Sequence, residues 1–111
     1  MAEAKWQSFK LPELIEKQLG SGHPYFEFLR VPALSCGIYT LPAGSDDLQS
    51  PHDEDEVYYV VAGRGRLRVG DAIQEVRVGS ILYVEASSDH SFFEIDEDIT
   101  LLVFFASGGP A

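Results

Sequence analysis

The stretch SPHDEDEVYYVVAGRG, residues 50 to 65, sets one imidazole, His52, ahead of four consecutive acids, Asp53 to Glu56, at the entrance to an apolar run. A solvated turn needs no histidine there. Imidazole nitrogen and carboxylate oxygen are the donors that hold first-row divalent cations, and a site with open positions needs about three of them. His52 and Glu56 are four residues apart, about 13 Å along a straight strand, whereas ligand bonds are ~2 Å long. They share a cation only if the chain reverses between them. Asp53, Glu54 and Asp55 are good turn formers, and Pro51 helps end the strand before them. A three-residue hairpin then puts His52 and Glu56 on neighbouring strands and leaves the other acids as a solvated tip.

The third ligand has to come from another strand. His90 opens HSFFEI after the turn EASSD, and period-two alternation places His90, Phe92 and Glu94 on one face. Tyr58 and Phe92 are in phase with the ligands and are expected to line a substrate pocket; Tyr39 is a further candidate for that interior. His23, in GSGHP ahead of the sheet, reads as a loop residue. Arg64, Arg66 and Arg68 alternate with Gly65, Leu67 and Val69, the pattern of a solvent face. Cys36 has no histidine near it in sequence and reads as a buried small residue.

These residues need elements to hold them in place. LPELIEKQ is the one helical stretch: Pro12 lies near a first turn, Leu11, Leu14, Ile15 and Leu19 recur at helical spacing, and Gly20 is the expected stop. After a loop from Gly20 to Pro24, short runs rich in Val, Ile, Tyr and Phe alternate with turn residues. Strands are expected near 25–31, 35–41, 46–52, 56–62, 65–70, 72–78, 80–85, 90–95 and 99–106, with turns at LPAGS, AGRGR, VGDA, VGS, EASSD and DEDI. Short strands at about ten-residue spacing, without helical crossovers, predict an all-β antiparallel sandwich or barrel. Trp6 and Phe9 suggest an anchor for the N-terminal arm.

The totals bound the alternatives. A length of 111 residues suits a single domain with a real core, and 45% apolar residues exclude disorder. Eighteen Asp and Glu against eight Lys and Arg give a net charge of −10, which argues against nucleic-acid and anionic-membrane partners. The longest apolar run, Leu101 to Ala106, is too short to cross a bilayer. The N-terminus MAEAKWQSFK carries charges where a signal peptide has an apolar core, and the single cysteine suits a reducing compartment, so a cytoplasmic location is expected. EVYYVVA and ITLLVFFA are apolar on both faces, so something beyond the facing sheet should cover them. A homodimer is the expectation.

The spacing resembles the cupin superfamily. Gly44, His52, Glu56 and Gly63 match its first motif, with His52 on the second histidine position, and Gly79 and His90 match its second in register. The resemblance spans about Ala33 to Ala106. It implies a jelly-roll barrel (double-stranded β-helix) over about 33–106, with one short helix and an arm in residues 1–24, all in a single domain over 1–111. The chain departs from the pattern at Ser50, on the first metal-histidine position, at Glu85-Ala86-Ser87, in place of the Pro-x-Gly corner, and at Glu94, in place of an asparagine.

The resemblance implies a divalent metal ion (Fe, Mn, Ni or Zn) held by His52, Glu56 and His90, with Gln49 or Ser50 as a weak oxygen ligand. Two histidines and one carboxylate form the set associated with non-haem Fe(II) oxygenases. The expected activity on a small organic molecule is that of a dioxygenase or, with a Lewis-acid metal, an isomerase or lyase with Glu94 as general base. The alternative is a non-catalytic small-molecule-binding or accessory cupin with a hydrogen-bonded polar cluster in the metal's place.

Overall fold

The computed structural model describes residues 5–47 and 53–106 of the chain. Pro12 opens the helix α1, Leu11–Ser21, where its missing N–H costs nothing. The helix runs past Gly20 and ends at Gly22, whose left-handed φ of 73° lets its N–H reach the Leu19 carbonyl at 3.4 Å. Leu14 and Gln18 are its buried residues, while Leu19, expected on the apolar stripe, is exposed. Gln18 fastens the helix to the sheet: its Nε2 donates to the His23 carbonyl at 2.8 Å and to Thr40 Oγ1 at 3.0 Å.

Six strands follow: β1 Tyr25–Val31, β2 Leu34–Leu41, β3 Glu56–Val69, β4 Ala72–Arg77, β5 Ile81–Val84 and β6 His90–Ala106. All their pairings are antiparallel, in the order β1-β2-β6-β3-β4, with β5 alongside β3. The expected strand over 46–52 is not formed at 46–47, and its remainder lies outside the described residues. Among the described residues no helix is long and apolar enough to cross a membrane.

The breaks expected at AGRGR and DEDI are not breaks. β3 and β6 run through them as two long strands paired with each other, and they bend together where the register slips between Val60 and Arg66. Gly63 makes the bend possible: its φ is 87°, and a Cβ there would collide with the Asp98 carbonyl oxygen. A glycine that turns a chain and one that bends a paired ribbon look alike in sequence. Here the cross-strand partner keeps the ladder going.

The bend produces the barrel. The first half of β3 pairs with β5 and the second half of β6, while its second half pairs with β4 and the first half of β6. Inner side chains of the two halves therefore meet. Tyr58 and Val60 join Ile99, Leu101 and Val103 from one end of β6, and Phe92 and Ile95 from the other, in one buried cluster. This is the jelly-roll arrangement. Each such side chain contributes about 1.5–3 kcal/mol by leaving water, so the two halves are held together mainly by these contacts.

The outer faces are less well covered. Tyr59, Ile81, Tyr83 and Phe104 remain exposed. In the N-terminal arm, Phe9 meets Phe28 edge-on with ring centroids 4.9 Å apart, but Trp6 is 77% exposed.

Candidate metal centre and the cavity beside it

Glu56 begins β3 and His90 begins β6, so the two lie far apart in the ladder, yet the folded ribbon brings their side chains together in the interior. His90 Nε2 lies 2.8 Å from Glu56 Oε1, and both side chains are 1% exposed. His90 Nδ1 is 2.9 Å from the Ser88 carbonyl. A carbonyl only accepts, so Nδ1 carries a proton and donates it there. This fixes the ring and aims Nε2 at Glu56 and at the Tyr58 hydroxyl, 3.1 Å away. Burial works against a charge on His90, but the hydrogen bond to Glu56, the Ser88 carbonyl and the charges of Glu56 and Asp47 outweigh it and raise its pKa above the ordinary value.

The second oxygen of Glu56, Oε2, is buried and has no hydrogen-bond partner among the described residues. A carboxylate oxygen left so costs about 1–3 kcal/mol or more. The donor set fits a cation. The histidine is oriented through its other nitrogen by a backbone carbonyl, as metal-ligating histidines generally are, and the carboxylate beside it has bonding capacity to spare. His52 and Gln49, the other two expected ligands, lie outside the described residues; among those described, no three His, Cys, Asp or Glu side chains form a metal-binding group.

Asp47 is a functional residue that sequence reasoning missed. Its Oδ1 accepts from the Tyr39 hydroxyl at 2.8 Å and its Oδ2 from the Phe92 N–H at 2.9 Å. It thereby ties the chain, five residues before His52, to β6 two residues after His90. Burial, then the bond to Asp47 and its charge, push the Tyr39 phenol far above its usual range. An acid next to a turn gave no local sign of this role.

Beside the Glu56–His90 pair lies a cavity of about 310 Å³, lined by Tyr25, Tyr39, Tyr58, Val103 and Phe105, with Glu27, Arg30, Ser35 and Glu54 completing its wall. Tyr39 and Tyr58 thus line a cavity. Phe92 is not part of the wall: it packs edge-on against Tyr58 with centroids 5.1 Å apart, inside the core.

Glu94 is not in this interior. Alternation from His90 through Phe92 should have carried it inward, but the strand bulges: Arg66 pairs with Phe93 and Arg64 with Glu97, which leaves three residues of β6 opposite Gly65 alone. Glu94 sits there at φ 46°, a left-handed conformation, and Ile95 takes the inward position. The Glu94 carboxylate is exposed and lies 3.2 Å from Arg66 Nη1. Its expected place as a general base facing the metal ligands is therefore corrected. Cys36 is buried, and burial pushes its thiol pKa up, which suits packing rather than nucleophilic chemistry.

Residues 37–105 match the family model for the cupin domain. An uncharacterized protein of Streptomyces coelicolor is 42% identical over 100 residues, covering 90% of this chain and 95% of its own. Among solved structures, KdgF from Halomonas sp. superposes with a TM-score of 0.68 at 15% identity, covering 75% of this chain and 76% of that one. The DMSP lyase DddQ from Ruegeria pomeroyi gives 0.66 at 18% identity, covering 73% of this chain. This chain spans only 42% of that enzyme's length. At such identities these structures share the fold alone. The chain belongs to the cupin family.

Proposed function

We propose that this cupin binds one divalent metal ion through His52, Glu56 and His90, and acts on a small organic molecule held in the aromatic cavity next to them. The observation that carries this is the buried Glu56 carboxylate, with Oε2 unpartnered, beside an imidazole oriented by the Ser88 carbonyl. When bound, the ion supplies a Lewis-acid centre with open positions, suited with Fe(II) to dioxygenase chemistry and with Mn, Ni or Zn to isomerisation or elimination. The chain's own residues do the rest. Ser88 keeps the His90 proton on Nδ1 and so leaves Nε2 for the ion, the Tyr58 hydroxyl packs beside that nitrogen, and Val103 and Phe105 exclude water from one side of the cavity. Asp47 holds Tyr39 in the wall.

A second function, a binding or accessory cupin without catalysis, is favoured by one observation: at 2.8 Å Glu56 and His90 already pair with each other. Elemental analysis of protein purified without a histidine tag separates the two. Near-stoichiometric iron supports the oxygenase and another tightly held ion the Lewis-acid enzyme; absence of metal after purification from metal-supplemented cells contradicts both.

The proposal includes a homodimer. Tyr59 and Ile81 are register partners on β3 and β5, with Tyr83 and Phe104 also exposed, an apolar outer face that a second subunit would cover. Light scattering across a micromolar dilution series should give twice the 12.3 kDa chain mass; a single-chain mass throughout contradicts it.

A further inference from the structure

Gly37 lies in the middle of β2, opposite Val103 of β6, at an ordinary strand φ, so its backbone does not call for glycine. Its neighbour does. A Cβ on Gly37 would overlap the far end of the Tyr25 ring, which lies across the strand at that point. Tyr25 thus reaches over the sheet into the cavity wall, between Tyr39 and Phe105, whose rings it meets edge-on at 6.3 and 6.2 Å. The hydroxyl it delivers there is buried and has no hydrogen-bond partner among the described residues. Burial first, then the charge of Glu27 and, more weakly, those of Cys36 and Glu56, push its pKa up to about 12, against the opposing effect of Arg30. At neutral pH it is a donor.

The Glu56 carboxylate, whose Oε2 is likewise buried with no hydrogen-bond partner among the described residues, is not one of the described wall residues but lies close enough for its charge to act weakly on the phenol. Arg30, the only cation among the described lining residues, is already occupied, donating from Nη2 to Glu27 Oε1 at 2.7 Å and from Nε to Oε2 at 3.2 Å.

We infer that Tyr25 is the ligand-binding donor of this cavity, giving its hydroxyl proton to a carbonyl or single carboxylate oxygen of a small molecule seated against Phe105, Val103 and Tyr39. A phosphate or polyanion would face Glu27 and Glu54 and would find no free cation among the described lining residues. The inference deepens the function proposed above and rests on that use of the cavity, but not on the metal.

The test uses the full chain, both as purified and after chelation, with its tyrosines labelled at the ring Cζ carbon. Comparison with Tyr25→Phe assigns the Tyr25 resonance. Butanone and 2-oxobutanoate serve as probes, one offering a ketone and the other a ketone with a carboxylate. The Tyr25 signal should move with at least one probe in the chelated form too, and Tyr25→Phe should bind that probe about tenfold more weakly. Movement with butanone identifies a carbonyl acceptor; movement with 2-oxobutanoate alone identifies a carboxylate. Because the hydroxyl has no internal partner, Tyr25→Phe should unfold at the same Tm or higher and keep its metal. A signal indifferent to both probes, equal affinity of the variant, a clear fall in Tm, or loss of metal from the variant would each overturn the inference. A chain that purifies without metal but shows the probe response refutes the metal assignment and leaves this one standing.

Discussion

Two cavities of similar size lie on this protein, and they differ in what their walls have left to give. The one beside Glu56 and His90, about 310 Å³, is walled by aromatic rings, and one of them, Tyr25, carries a buried hydroxyl with no hydrogen-bond partner among the described residues. The other, about 390 Å³, lies across the second half of β3 and is lined by Arg64, Arg66, Arg77, Glu75, Glu94 and Asp96, among others. Its charges are largely spent on each other. Arg66 bridges Glu94 at 3.2 Å and Glu75 at 3.6 Å, and Arg64 pairs with Glu97 at 3.3 Å, all with exposed side chains. Solvent screens such pairs to a median of about 0–1 kcal/mol. The larger and more highly charged cavity is thus chemically the quieter one, because water and neighbours satisfy it. Unmet bonding capacity in a dry place marks the first.

The sharpest way to break this contrast is to remove a carboxylate charge from each cavity. Glu56→Gln keeps the shape and one oxygen but loses the charge that offsets a divalent ion. Its affinity for the ion should fall at least about tenfold and lower the metal-to-protein ratio, since changes even outside the ligand set typically cost that much affinity. Glu94→Gln should retain the wild-type ratio. Equal metal content in all three proteins would dissolve the difference between the cavities.

A smaller effect follows from Gly37. Gly37→Ala forces the Tyr25 ring aside in a packed wall, an overpacking change expected to cost about 1–3 kcal/mol in urea denaturation. Gly70→Ala is the control. Gly70 has a positive φ of 57° but open space around it, so only backbone strain is at stake, about 1 kcal/mol. A Gly37→Ala protein as stable as wild type would mean that the ring does not lie where it is described.

The Glu56–His90 pair also predicts a pH dependence for the chelator-treated protein. His90 has a raised pKa in the folded chain. Its stabilising contribution is therefore complete below the unfolded value of ~6.5 and is lost as pH rises through the higher folded value. Denaturation midpoints should decline over that window, and His90→Gln should flatten the decline. A chelated protein equally stable on both sides of it would show that the pair is not charged at low pH. The smallest effect belongs to the outer cavity: Arg66→Ala should shift stability by no more than about 0.5–1 kcal/mol.

The same two regions show what local sequence patterns can and cannot reveal. Strand periodicity and turn residues placed β1, β2, β4 and β5 closely but cut β3 and β6 in two each, and motif spacing singled out Glu56 and His90. Glu94 was misplaced because alternation holds only while the ladder is regular, and the bulge opposite Gly65 depends on a partner strand that no short window contains. The glycine at 63 was legible as a turn residue, but whether it ends a strand or bends one is decided by Asp98 across the ladder. Tyr25, Gly37 and Asp47 carry no local signature at all. Their roles lie in contacts between strands distant in sequence: a ring over a glycine, and a carboxylate shared by a phenol and a backbone N–H.

The most direct test of the central claim is anomalous diffraction at the metal absorption edge, from crystals of tag-free protein grown with its native metal. The account predicts one strong peak in the barrel interior, within ligand distance, about 2.0–2.2 Å, of a Glu56 oxygen and His90 Nε2. A peak among Glu75, Glu94 and Asp96 on the outer cavity, or no interior peak from protein that carries stoichiometric metal, would contradict it.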